Sequence, residues 1–300
     1  MLTYMLQRDL ESKIKPYHLD GVTCLRDALD VEYLRQARDC FDWSVAHPTT
    51  SACTFYESDE GKFYQDLCHP QGAEIYRQLL EDSPLADIVA KLWGSDNVWF
   101  LYEQVFLKHG TETRRTPWHQ DTSYLALDGV NIATVWICFD PVEAGHSLEF
   151  VRGSHRQTLY NGSAFDPDDD TLPIYQDGLP RLPDIETDRS KWDIVSYDIT
   201  PGDIVIFHPS TLHGGAATQA GTQRRTLSLR FFGDDAVYAE RPNEAPAPLV
   251  TGLHETLSAG QPFRHPAFPQ LRPTPAGFDA IPTAPAPSYT LKGKMSDPMS

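Results

Sequence analysis

The sequence predicts an antiparallel double sheet or barrel backed by helices, a mainly β fold whose helices gather at the front of the chain. Two observations carry that expectation. Apolar residues recur at helical spacing only in the first third of the chain, and from residue 98 onward the period shortens to that of strands. The first helix is expected from Asp27 to about His47, where Leu29, Val31, Leu34 and Ala37 fall on one stripe, and a second from about Ala73 to Trp93. Six strands follow: "VWFLYEQVFLK" (98–108), "VNIATVWICFD" (130–140), "SLEFV" (147–151), "DIVSYDI" (193–199), "DIVIF" (203–207) and "RTLSLRFF" (225–232). Each is β-branched or aromatic and bounded by Gly, Pro or Asp. A single domain is expected, with helical support over 1–97, a β core over 98–235, an insertion at about 157–192 and a Pro-rich tail over 241–300.

Composition narrows the function. Three hundred residues, 40% of them hydrophobic, can fill a sizeable core. Acidic residues number 42 against 25 basic ones, a net charge of -17 that repels polyanions, so neither nucleic acid nor an anionic membrane surface is an expected partner. Eleven of the carboxylates lie between Asn161 and Asp203 against three basic residues, Arg181, Arg189 and Lys191. The apolar runs fall well short of the roughly 20 residues a membrane span needs. "MLTYMLQRDLESKIK" lacks the sustained apolar stretch of a leader, and the five cysteines have no C-x-x-C spacing, so a cytoplasmic protein with reduced thiols is expected.

The chemistry is concentrated in "TPWHQDTSYL" (116–125), which has the look of a half-buried strand. Residues i and i+2 of a strand share a side, so His119 and Asp121 present a ring nitrogen and a carboxylate toward one point. Two histidines and one carboxylate with open positions form the ligand set of non-haem Fe(II) oxygenases. "PGDIVIFHPSTLHGG" offers His208 and His213 for the third place. Gly214 and Gly215 favour His213, since a backbone without Cβ atoms approaches a metal closely. The second His-x-Asp, His18 and Asp20, is expected to be a turn into the first strand. An Fe(II) centre that activates O2 needs two more electrons, and decarboxylation of a 2-oxo acid supplies them. The far carboxylate of such a co-substrate suits a guanidinium. In "RRTLSLRFF" the alternation puts Arg224, Thr226, Ser228 and Arg230 on one face and Arg225, Leu227, Leu229 and Phe231 on the other; the polar face is expected to line a pocket.

"DGVTCLRDALD", "PWHQDTSYL", "LEFVRGSHR", "PGDIVIFHPSTLHGG" and "RRTLSLRFFGDD", in that order over roughly residues 18–270, resemble the phytanoyl-CoA dioxygenase family of Fe(II)/2-oxoglutarate-dependent oxygenases. The resemblance implies a double-stranded β-helix (a cupin-like jelly roll), with His119, Asp121 and His213 holding Fe(II) and with 2-oxoglutarate and O2 as co-substrates. It places the co-substrate arginine eleven residues after the distal histidine, at Arg224. It also implies that Trp136 lies beside the co-substrate and that Lys108 reaches its carboxylate. Where some relatives carry serine two residues after the distal histidine, this chain has Gly215, so Ser228 or Thr226 is expected to supply that contact. Related halogenases have a small residue where Asp121 stands, which favours hydroxylation or another oxidation. A small-molecule substrate is expected, because the acidic insertion opposes a phosphate-rich CoA ester. An acyl-CoA hydroxylase remains the alternative, with Lys108, Arg114, Arg115, Arg152 and Arg156 as a basic patch at the mouth. A non-catalytic cupin-like metal binder is the remaining alternative.

Overall fold

The computed structural model describes residues 3–58, 61–110, 115–166, 168–176, 178–219, 221–242 and 245–273. Arg114 and the tail beyond 273 lie outside them. In chain order the elements are α1 (Tyr4–Asp20), β1 (Val22–Leu25), α2 (Val31–Ala46), β2 (Cys53–Ser58), β3 (Gly61–Leu67), α3 (Gly72–Ile75), α4 (Arg77–Asp82), α5 (Leu85–Trp93), β4 (Val98–Gly110), β5 (Thr116–His119), β6 (Leu127–Asp128), β7 (Ile132–Cys138), β8 (Leu148–Val151), β9 (Ile194–Ser196), β10 (Ile204–Phe207), β11 (His213–Gly215), β12 (Thr222–Phe232), β13 (Val237–Tyr238), α6 (Leu253–Thr256) and β14 (Gln270–Arg272). An eight-stranded sheet runs β1-β10-β7-β12-β4-β3-β2, with β14 also paired to β4. A four-stranded sheet, β5-β11-β8-β9, faces it.

Strand alternation sorts the large sheet's two faces. Ala133, Val135, Ile137, Ile204, Ile206, Leu227, Leu229 and Phe231 point outward and bury themselves under the helices, against Leu6, Leu10, Phe41, Leu79, Leu85 and Ile88. Trp136, Cys138, Val205 and Phe207 point inward and meet Phe150, Leu148 and Val195 of the small sheet. Apolar packing between the two inner faces closes one end of this jelly roll; the polar inner residues lie elsewhere along the same strands.

The helical support differs from the expectation in three places. Residues 4–20 form a further helix that takes in His18 and Asp20 in place of the expected turn: Thr3 caps it through Leu6 N (3.2 Å), and Gly21 ends it with φ 79°. The stretch 73–93 is three short helices, and Pro84, with no N–H to donate, marks the break between α4 and α5. Strands β1, β2 and β3 come from this front part of the chain and join the large sheet. The part of the tail that is described wraps the sheet end: Phe263 and Phe268 pack on Phe232, and β14 adds to β4. No helix among the described residues is long and apolar enough to cross a membrane.

Candidate active site

His119 closes β5, and Asp121 begins a single 3-10 turn, not a continued strand. The i, i+2 relation survives because Gln120 between them is extended (φ -120°, ψ 124°). His213 opens β11 directly opposite His119. The three side chains are buried, and one ligand atom from each lies within 4.8 Å of the others. His119 Nε2 is 3.5 Å and His213 Nε2 3.8 Å from Asp121 Oδ1. Both imidazoles are oriented alike: His119 Nδ1 donates to Pro117 O and His213 Nδ1 to Thr211 O, each at 2.8 Å. A carbonyl only accepts, so each Nδ1 carries the proton and each Nε2 keeps its lone pair for the shared centre. Burial, and then the neighbouring His119, push His213 down to about 3, so it is neutral. Burial opposes the charge on Asp121, and the Arg230 guanidinium 2.9 Å from its Oδ2 outweighs that and keeps it ionised. Two neutral nitrogens and one carboxylate on one side of a point fit a divalent cation with positions left open.

Beside this centre, β12 turns Arg224, Thr226, Ser228 and Arg230 into the space between the sheets; all four are buried. Arg224 donates to His146 O and to Ala216 O (3.2 Å) and meets no carboxylate among the described residues. Its neighbour across the ladder is Lys108 on β4, equally buried, whose Nζ donates to Thr116 Oγ1 at 3.0 Å. Burial, then Arg224 and Arg115, hold the Lys108 ammonium well below its usual range. A Cβ on Gly215 would lie 3.2 Å from Thr116 Oγ1 and 3.4 Å from Arg224 Nη2, so glycine there keeps the cradle open. Gly214 serves strand pairing rather than the metal: a Cβ would sit 2.9 Å from Thr116 O. Trp136 lies beside Ser228 on the adjoining strand, packed among Phe150 and Phe207.

Residues 17–226 match the phytanoyl-CoA dioxygenase (PhyH) family. The chain belongs to that family. It is 25% identical over 162 residues to a probable phytanoyl-CoA dioxygenase of Caenorhabditis elegans, covering 50% of this chain and 48% of that protein; the chain thus spans about half the length of the curated relative it matches. Among solved structures, the epimerase SnoN in complex with Fe3+, α-ketoglutarate and nogalamycin RO has a TM-score of 0.66 at 20% identity, over 89% of this chain and 100% of that one. The non-haem α-ketoglutarate-dependent carbocyclase SnoK from nogalamycin biosynthesis gives 0.62 at 18%, over 90% and 96%. EctD from S. alaskensis, with 2-oxoglutarate and 5-hydroxyectoine, gives 0.61 at 18%, over 79% and 81%. At such identities the likeness speaks for the fold, the double-stranded β-helix.

In this PhyH-family member the other histidines lie apart from the triad. His18 bonds Leu92 O from the last turn of α1 (2.8 Å). His208 is held by Gly129 O and Ser210 N, and burial pushes it down to about 4. Among the described residues, the cations that would make the basic patch of the acyl-CoA alternative do not gather. Lys108 is interior, Arg115 pairs with Glu149 and Glu186 (3.0 Å each), Arg152 pairs with Asp193 (2.8 Å), and Arg156 donates to Leu19 O. Arg115 and Arg189 together bracket Glu149, Glu186 and the Trp118 ring, tying the C-terminal end of the insertion to the small sheet.

The insertion also reaches the centre, which the sequence did not disclose. Phe165 lays its ring 5.5 Å from His119 and 6.1 Å from Tyr124, with φ +54° in the left-handed region that bulky residues avoid. Tyr175 OH and Asn161 tie this roof down through Ser123 O and the Tyr175 backbone. Thr116 is a second residue that sequence reasoning passed over, since a lone threonine next to a proline carries no signal of its own.

Proposed function

We propose that this protein is an Fe(II)- and 2-oxoglutarate-dependent oxygenase that oxidises a small molecule with release of succinate and CO2. One observation carries the reading: a His-Asp-His set with converging ligand atoms lies between the same two sheets as a buried arginine whose partners among the described residues are carbonyl oxygens. A buried guanidinium without a carboxylate is costly, and an incoming dianion offsets that cost. His119 Nε2, Asp121 Oδ1 and His213 Nε2 hold the iron. Arg224 takes the far carboxylate of 2-oxoglutarate, Lys108 and Thr116 flank it, and Trp136 and Ser228 form the wall beside it. Bound together, iron and the oxo acid supply the electrons that O2 activation requires beyond those taken from the substrate. The chain's own part is to orient both, to keep each Nε2 deprotonated and to exclude water through the Phe165 roof.

Hydroxylation or a related oxidation is the favoured outcome, since a carboxylate occupies the position that halide would need. The acyl-CoA alternative loses support from the ion pairs that occupy Arg115 and Arg152, next to an insertion whose Asp168 is exposed and whose Asp169 is spent on Arg181 and Thr171. The test is substrate-stimulated succinate release after anaerobic Fe(II) loading, over a panel of CoA-free metabolites and acyl-CoA esters. Stimulation by a CoA-free compound is expected. No 2-oxoglutarate turnover with any compound contradicts the oxygenase reading, and stimulation by acyl-CoA esters alone contradicts the substrate class.

A further inference from the structure

Arg230 lies beyond the segment that matches the family, and its surroundings set it apart from Arg224. Its side chain is 6% exposed. Nη2 spends both hydrogens, donating to Asp121 Oδ2 at 2.9 Å and to Gln104 Oε1 at 2.8 Å. The Gln104 amide is fixed in turn, because its nitrogen donates to Gln65 Oε1 at 3.2 Å. Tyr102 supports the guanidinium face, with its centroid 4.7 Å from Cζ. Nε and Nη1 are buried and have no acceptor among the described residues. A guanidinium has five N–H donors, so three of them are left, and each buried donor without an acceptor is a liability to the fold. Such a group is kept when something else completes it.

With its far carboxylate on Arg224 and its other end taken up by the metal in the reading above, 2-oxoglutarate has no further carboxylate to give Arg230. The two arginines are six residues apart on one strand face, about 20 Å along the backbone at roughly 3.3 Å per residue. Arg230 contacts Asp121 itself, so an oxygen received by its remaining N–H groups lies beside the metal seat, within reach of a substrate oxidised at iron.

We propose that Arg230 is a specificity-determining residue whose Nε and Nη1 receive a carboxylate or carbonyl oxygen of the primary substrate, while its Nη2 steadies the outer oxygen of Asp121. The proposal rests on the oxygenase reading and adds a chemical requirement for the substrate: an oxygen acceptor near the carbon to be oxidised. Asp121 Oδ2 is engaged by Arg230, leaving Oδ1 to face the histidines, so one side chain ties the carboxylate and the substrate to the same frame.

The test uses Co(II) as a spectroscopic stand-in for iron in the full-length protein saturated with 2-oxoglutarate, with benzoate as the probe and the visible Co(II) bands as readout. Benzoate is expected to produce a saturable change in the wild type, with affinity at least tenfold lower in Arg230→Gln. 2-Oxoglutarate affinity should stay within twofold. Arg230→Lys, which keeps a cation, should fall between the two and covers the case in which the glutamine variant folds poorly. No saturable change in the wild type, equal benzoate affinity in all three proteins, or benzoate affinity that falls as 2-oxoglutarate is raised would each overturn the proposal. Failure of Co(II) to bind at all strikes at the metal-site reading instead, so the two failures are distinguishable.

Discussion

The two faces of the large sheet use the same strands for opposite purposes. On β12 the outward residues Leu227, Leu229 and Phe231 are apolar and have relative exposures of zero, whereas the inward residues Arg224, Thr226, Ser228 and Arg230 are polar and nearly as buried. The outer face gains its stability from apolar area removed from water under the helices. The inner face spends stability: it buries two guanidiniums and a lysine beside one carboxylate, and its hydrogen bonds leave donors over. In the reading proposed above, one face accounts for folding and the other for ligand binding, and substitutions on the two should separate those properties.

The largest separation is expected between the sheets at the metal seat. His213→Ala, His119→Ala or Asp121→Ala should each lower turnover below detection and weaken Fe(II) binding. His18→Ala and His208→Ala should leave measurable turnover under the same metal loading. Wild-type-like turnover in the His213 variant would sink the ligand assignment. On the outer face, Leu229→Ala should cost about 2 to 5 kcal/mol in denaturant unfolding, the usual range for deleting a fully buried leucine. The metal-loaded folded fraction should bind 2-oxoglutarate as tightly as before; a parallel loss of affinity would show that the faces are not independent.

A smaller effect is expected from a buried acid on the outer face. Glu103 lies over α3, accepts from His69 N (2.6 Å) and is raised by burial to about 7. Its folded value lies above its unfolded one, so between about pH 4.5 and 7 the native state holds a proton that the unfolded state has lost, and stability falls as pH rises through that window. Above it the penalty is constant, on the order of 3 kcal/mol. Glu103→Gln should therefore stabilise the protein at pH 8 and do little at pH 4.5, read as the difference in unfolding free energy. An equal effect at both pH values would contradict the burial argument.

How much of this was legible in the sequence depends on the range of the information. The faces of β12 were readable because strand alternation is local: once 222–232 is extended, Arg224 and Arg225 must diverge. Arg225 indeed turns outward, onto Asp140 (2.7 Å). The helix α1 was missed although Leu6, Leu10, Ile14 and Tyr17 keep helical spacing, because Pro16 and the dense charges mask the pattern. The strands β2 and β3 are short and rich in polar residues, so their period is faint. What could not be read is long-range pairing. Arg230 meets Asp121 across 109 residues, the ion pairs of Arg115 and Arg152 occupy two members of an apparent basic patch, and Phe165 reaches His119 from a segment without periodicity.

The central claim is that the inner face of β12, and Arg224 on it, receives the co-substrate. It is tested most directly by the 2-oxoglutarate dissociation constant of the anaerobic Fe(II)-loaded protein, compared among wild type, Arg224→Met and Arg225→Met. Loss of a charge-assisted bond worth about 1.5 to 3 kcal/mol predicts affinity at least tenfold lower in the Arg224 variant. The Arg225 variant, whose side chain serves Asp140 on the opposite face, should bind as the wild type does. Equal affinity in wild type and Arg224→Met, or a loss confined to Arg225→Met, would contradict the account.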